Sequence, residues 1–201
     1  MPPVTTRREL LSAMSLIFDP LGICLPIVTG AKLLFQQTHK LEMQSAAIPG
    51  WDWPLPSKLL AQWLTWANGL DRLSHIRVKR CLRPHDFPLL VRCLRSSSVA
   101  YGAVAYLRVR CEGRVHVAFV MAKGRLAHLK PTTVPRLELE AALLAVNLSL
   151  IIRKELRINI ATVEFYTDSQ VVLHQLRYQH RTGPTFITTR TAEILTHSTL
   201  A

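Results

Sequence analysis

The sequence predicts a mixed α/β fold, on three observations: helical periodicity through the first part, a change to period-two alternation after His75, and a closing helix, strand and helix in alternation. The chain has 201 residues, 49% of them hydrophobic. That is enough for a sizeable core and excludes a mainly disordered chain.

The first helix is expected over Glu9 to Phe18, where Leu10, Leu11, Met14, Ile17 and Phe18 share a face at helical spacing. Asp19-Pro20-Leu21-Gly22 then reads as a turn, because proline fixes one torsion and glycine permits the next. A second helix follows over Leu25 to Met43, with Pro26 tolerated in its first turn. The prolines between Ile48 and Pro56, around Trp51 and Trp53, make a rigid connector. Ser57 is positioned to cap a third helix reaching Leu73, whose apolar face carries Leu59, Leu60, Trp63, Leu64, Trp66, Ala67 and Leu70. Its tryptophans read as core rather than as a base-stacking platform.

Ile76, Val78 and Arg80 alternate with Arg77, Lys79 and Cys81, the pattern of a strand. Further strands are expected at Leu89 to Leu94, Tyr101 to Val109 and Arg114 to Met121, the last two joined by a turn at Glu112-Gly113. Pro135 opens a long helix, Arg136 to Leu156, capped by Thr132 or Thr133 and buried along Leu137, Ala141, Leu144 and Leu148. A strand over Thr162 to Thr167 ends at Asp168, and helices follow over Ser169 to Tyr178 and Thr188 to Ser198. Strands in series followed by alternating units give a mixed sheet with helices on its faces. The boundary between the two parts falls near residues 75 to 85.

The formal net charge is +12. A folded domain this basic points to a polyanionic partner, since Lys and Arg that neutralise phosphates release counterions. Arg77, Lys79, Arg92 and Arg108 lie on or near successive strands and are the candidate contacts, with Ser169 as a polar one; a solvated sheet face is the structural alternative. Cys24, Cys81, Cys93 and Cys111 form no C-x-x-C pair, so no zinc knuckle or thioredoxin-type site is indicated. Arg7-Arg8 followed by an apolar run imitates a signal peptide, but the run meets Asp19-Pro20 and lacks a small-residue cleavage site. The apolar run from Ile23 to Phe35 is too short and interrupted to span a bilayer. An intracellular chain with no membrane partner is therefore expected.

Two carboxylates stand where chemistry is commonly placed. Asp168 follows a strand, at the end that faces the ligand crevice in open α/β sheets. Glu138 falls at the start of the long helix, where a carboxylate also serves as a plain dipole partner.

The ordered set Asp19-Pro20-Leu21-Gly22, Ala31 to Gln36, Gly50-Trp51-Asp52-Trp53-Pro54-Leu55-Pro56, Ala100 to Arg108, Ala122-Lys123, Pro135 to Ala142 and Tyr166-Thr167-Asp168-Ser169 resembles the polymerase-to-nuclease connection and nuclease of BEL/Pao retrotransposons. The region carries the Pao retrotransposon peptidase name, yet this chain has neither an Asp-Thr-Gly or Asp-Ser-Gly triplet nor a polymerase Tyr-x-Asp-Asp. Neither activity is expected.

The resemblance implies a helical connection region over 1–80 and a ribonuclease H-like domain over 81–201. It implies an ancestral cleavage of RNA in RNA–DNA hybrids. Such a site clamps the attacking and leaving oxygens with two Mg²⁺ or Mn²⁺ ions about 4 Å apart, held by oxygen ligands. By resemblance, Glu138 matches the helix glutamate and Asp168 the strand-end aspartate, the catalytic and metal-ligating remnant. The first aspartate of the pattern falls on Arg95, and a guanidinium there stays charged. Asp86, the nearest upstream acid, precedes Pro88 and does not substitute for it. The family's late Asn-Pro-Ala-Asp segment is not found before Ala201, although Phe186 to Arg190 is present in altered form with Glu193 close behind. A domain truncated at its C-terminal end and without efficient two-metal cleavage is the expectation. The alternatives are a basic nucleic-acid-binding module without catalysis, and a protein-interaction element in the first helices, which the resemblance places beside the polymerase region of a parent polyprotein.

Overall fold

The computed structural model describes residues 3–44, 50–78, 87–94, 98–111, 113–178 and 183–199, with the side chains at 44, 87–94 and 109–111 excepted. It divides into two compact units, Met1–Pro20 with Cys24–Lys79, and Leu21–Ile23 with Arg80–Ala201.

The first unit is helical: α1 (Arg7–Ser15), α2 (Leu25–Gln44) and α3 (Ser57–Asn68), the last running into a 3-10 turn over Gly69–His75. α1 starts earlier than its apolar spacing predicts, because Thr6 and Glu9 form a reciprocal capping box, and it ends at Ser15, ahead of Asp19-Pro20. Phe18 consequently lies outside the helix and is 90% exposed. The cap draws hydrogen bonds from Thr5 and Thr6 onto Glu9 and holds its carboxyl below the ordinary range. Val4, Leu10, Ala13, Ala31, Leu55 and Trp63 form the core. Trp63 is buried and stacks on Trp66, which donates its indole N–H to the Ile27 carbonyl at 2.9 Å. The proline-rich connector is tied to the start of α1 through Leu55 N–H to Thr5 O, at 2.7 Å, and Arg8 N–H to Trp51 O, at 3.0 Å.

The expected strand at Ile76 to Cys81 is not formed where the structure describes it. Residues 76–78 follow the 3-10 turn without strand pairing, and Ile76 is 55% and Val78 39% exposed. Alternating side chains make a strand only where a neighbour takes up the backbone donors and acceptors. Residues 79–81 lie outside the described residues.

The second unit holds β1 (Phe87–Leu94), β2 (Ala100–Cys111), β3 (Arg114–Leu126), α4 (Val134–Glu155), β4 (Ile160–Tyr166), α5 (Gln170–Tyr178) and α6 (Thr185–His197). The sheet order is β3-β2-β1-β4, antiparallel except for the parallel pair β1 and β4. The mixed α/β class read from the sequence is thus the one observed. β3 runs five residues further than its apolar alternation predicts, because Ala122 to Leu126 stay in register with Ala100 to Val104. Gly113 turns the β2–β3 hairpin with a φ of 73°.

β3 is a sheet edge, and part of it is occupied. Ala122 N–H donates to the Leu21 carbonyl at 2.8 Å. Gly22, at φ +75°, lies so close that a Cβ there would stand 2.1 Å from the Ala122 oxygen. The glycine of Asp-Pro-Leu-Gly is therefore demanded twice, by its torsion and by the approach of backbone to backbone.

α4 is apolar nearly all round, as a helix buried on two sides must be. Leu137, Ala141, Leu144, Ala145, Leu148 and Ile152 face the sheet in one core. Leu139, Ala142 and Val146 meet Val172, Leu176 and Ile194 from α5 and α6 in a second. Its N-cap position is Thr133, whose side chain makes no capping bond, so the expected hydroxyl cap is absent; Pro135 is the second helical residue rather than the first. Among the described residues no helix is long and apolar enough to cross a membrane.

Candidate functional site

α4 carries two glutamates into different surroundings. Glu138 is its fifth residue, one turn in rather than within the first turn, and is half-buried. Its Oε2 accepts from the Ser169 hydroxyl at 2.7 Å. Ser169 is buried and caps α5: its Oγ accepts from Val172 N–H at 3.1 Å, and its own N–H donates to Thr167 Oγ1 at 3.1 Å. Since the hydroxyl oxygen is engaged by Val172, its proton is directed at Glu138.

Asp168 lies between β4 and α5, exposed, next to Ser169, and makes no hydrogen bond or ion pair with the described residues. Parallel pairing sets Arg92 of β1 beside Tyr166 of β4. The C-terminal ends of β1 and β4, and hence Leu94 and Asp168, therefore share one end of the sheet. Glu138 and Ser169, 31 residues apart in sequence, are joined at that corner by their hydrogen bond, and Asp168 is the residue before Ser169.

Arg77 belongs to the first unit and follows its 3-10 turn. Arg108 sits on β2, five residues beyond Ala103, which faces α4, so Arg108 points to the opposite side of the sheet. It is close enough to Tyr166 to ease that phenol's ionisation, against the larger effect of the Glu164 hydrogen bond, which raises its pKa. Of Arg92 only the backbone is described, and Lys79, Asp86 and Arg95 lie outside the described residues.

Glu140, two residues from Glu138, is a functional-looking carboxylate that sequence reasoning passed over. It is only 8% exposed. Arg190 of α6 donates to its Oε1 through Nε at 2.6 Å, and the Tyr101 hydroxyl of β2 reaches its Oε2 at 3.3 Å. The Arg190 guanidinium also lies 3.6 Å from the centre of the Phe186 ring. Burial first, then the Glu140 carboxylate, pushes the Tyr101 phenol above its ordinary range, while Arg125 across the strand pair pulls the other way. A sequence signal existed: Glu140 is three residues after Leu137 and four before Leu144, both on the buried stripe.

Two dications held a few ångströms apart repel, and several carboxylates must converge to offset their charge. At this corner the described residues supply Glu138, with one oxygen already bound by Ser169, and Asp168. Among the described residues no three His, Cys, Asp or Glu side chains come together as a metal site. Glu140 cannot join, because Arg190 holds it on another side of α4. The described donor set does not fit a two-metal centre.

A family model described as a Pao retrotransposon-like RNaseH-like domain matches residues 6–169. No curated protein and no solved structure matches the chain.

Proposed function

The chain belongs to the Pao retrotransposon-like RNaseH-like domain family, and we propose that it is a retrotransposon-derived, nucleic-acid-binding fragment that no longer cleaves efficiently. In this reading residues 1–80 are the helical connection region. Residues 81–201 are the ribonuclease H-like domain, whose ancestral role is cleavage of RNA in RNA–DNA hybrids with Mg²⁺ or Mn²⁺. The partner retained is nucleic acid, supported by the family and by the net charge of +12.

The observation that carries the loss of cleavage is the corner where Ser169, the residue after Asp168, bonds Glu138, while no three His, Cys, Asp or Glu side chains come together among the described residues. The sequence adds Arg95 where the family pattern has its first aspartate, a permanent cation at a position that should gather cations.

The experiment is incubation of the purified chain with a labelled RNA–DNA hybrid in Mg²⁺ and in Mn²⁺, alongside a binding measurement at low salt. Binding without cleavage is expected. Robust cleavage that disappears in Asp168→Asn overturns the inactive reading, and no binding at low salt overturns the nucleic-acid reading.

A further inference from the structure

The β2–β3 hairpin runs past the rest of the sheet. β1 pairs with β2 from Gly102 to Leu107, whereas β2 and β3 remain paired out to Cys111 and Arg114. Beyond Leu107 β2 and β3 continue as a two-stranded ribbon, with no third strand paired to β2 among the described residues. Its return strand is exposed throughout Arg114–Val117, with Val115 at 47% and Val117 at 58%.

The ribbon is also strongly basic. From Arg108 to Val117 the sequence places Arg108, Arg110, Arg114 and His116 against a single acid, Glu112. Neither Arg108 nor Arg114 forms an ion pair with the described residues. Elsewhere in the second unit, Arg190 is engaged by Glu140, so an arginine without a carboxylate is not simply the rule here. Apolar side chains alone would suit a protein edge; Arg108 and Arg114, without a carboxylate partner among the described residues, favour an anionic partner. A two-stranded ribbon is also one of the two elements slim enough to lie along a duplex groove between its phosphate strands.

We propose that this ribbon, Arg108–Cys111 with Arg114–Val117, is a second nucleic-acid contact that stands in a duplex groove, with Arg108 and Arg114 projecting from its opposite faces toward the two phosphate strands that flank the groove. It rests on the nucleic-acid reading above, and not on the state of the carboxylates. Leu94, at the Asp168 end, pairs with Gly102, and the ribbon ends nine residues further along β2 at Cys111. At ~3.3 Å per residue that is about 30 Å, close to one helical turn of a duplex at ~34 Å. The ribbon is thus a contact separate from the Glu138 corner.

The test is fluorescence anisotropy on the full chain across a salt series, with an RNA–DNA hybrid, a DNA duplex and a single strand of the same sequence. Arg108→Gln with Arg114→Gln is expected to weaken both duplexes and to flatten the slope of log affinity against log salt by about 2, one phosphate contact for each arginine. Arg108→Lys with Arg114→Lys is expected to keep the wild-type slope. Circular dichroism confirms that each variant is folded. Unchanged affinity and slope in the glutamine variant overturn the ribbon contact, as does a loss confined to the single strand. If the wild-type chain itself binds nothing at low salt, the broader nucleic-acid reading has failed first.

Discussion

Glu138 and Glu140 occupy the same helix, two residues and about 200° apart around its axis. Glu138 faces the end of the sheet, with the hydroxyl of Ser169, which follows an exposed Asp168, as its hydrogen-bond partner among the described residues. Glu140 is buried under a guanidinium that rests on an aromatic ring. One carboxylate is left accessible to solvent and ligand; the other is consumed in holding α6 to α4 and β2. The Leu-Glu-Leu-Glu run therefore writes a surface position and a structural position side by side, and only the three-dimensional partners tell them apart.

The largest effect is expected from breaking the structural side. Glu140→Ala strands the Arg190 cation in partly buried surroundings and should cost about 3 kcal/mol, at the low end for a broken buried pair because Arg190 retains some solvent. Urea unfolding measures it, and a double-mutant cycle with Arg190→Ala should return a coupling of about 1 kcal/mol or more. A loss below about 0.5 kcal/mol would show that the pair does not anchor α6.

Ser169→Ala should cost about 1 kcal/mol through the lost cap of α5, and Ser169→Thr should recover most of it. If alanine is harmless, the hydroxyl is not the joint between Glu138 and α5 that its two hydrogen bonds describe.

A smaller effect appears at high pH. The folded state holds the Tyr101 phenol above its ordinary value. Stability from this group is fully present below about pH 10, the unfolded phenol value, and is lost as pH rises from there through the folded pKa. Tyr101→Phe should flatten that alkaline decline, which unfolding curves on either side of pH 10 would reveal. An unaltered decline would separate Tyr101 from it.

The smallest effect is expected on the other side of the comparison. Glu138→Gln keeps shape and an acceptor for Ser169, so its stability should stay within about 0.5 kcal/mol of wild type. A cost as large as that of Glu140→Ala would erase the distinction between the two glutamates.

Much of this architecture was legible in the sequence. Period-two runs located β1, β2 and the start of β3, and the stripe from Leu137 to Leu148 located the sheet-facing side of α4. What escaped has physical causes. Ile76 to Cys81 alternates like a strand, but the described part has no partner strand. The capping box of Thr6 and Glu9 set the start of α1 at Arg7, two residues ahead of its apolar spacing, and the helix ended before Phe18, short of Asp19-Pro20. β3 continues through Lys123-Gly124-Arg125 because register, not side-chain polarity, sets its length. At the site, Glu138 and Asp168 were readable through motif resemblance and strand-end position. The Ser169 bond to Glu138 spans 31 residues and the Arg190 bond to Glu140 spans 50. Contacts at such separations follow from how helices pack, which local spacing does not encode.

The shortage of carboxylates at the sheet corner is measured most directly by counting bound ions, with Mn²⁺ titrated into the full chain and followed by electron paramagnetic resonance. At most one ion per chain is predicted there, and it should vanish in Asp168→Asn. Two ions per chain, both lost in Asp168→Asn and in Glu138→Gln, would contradict the loss of the two-metal centre.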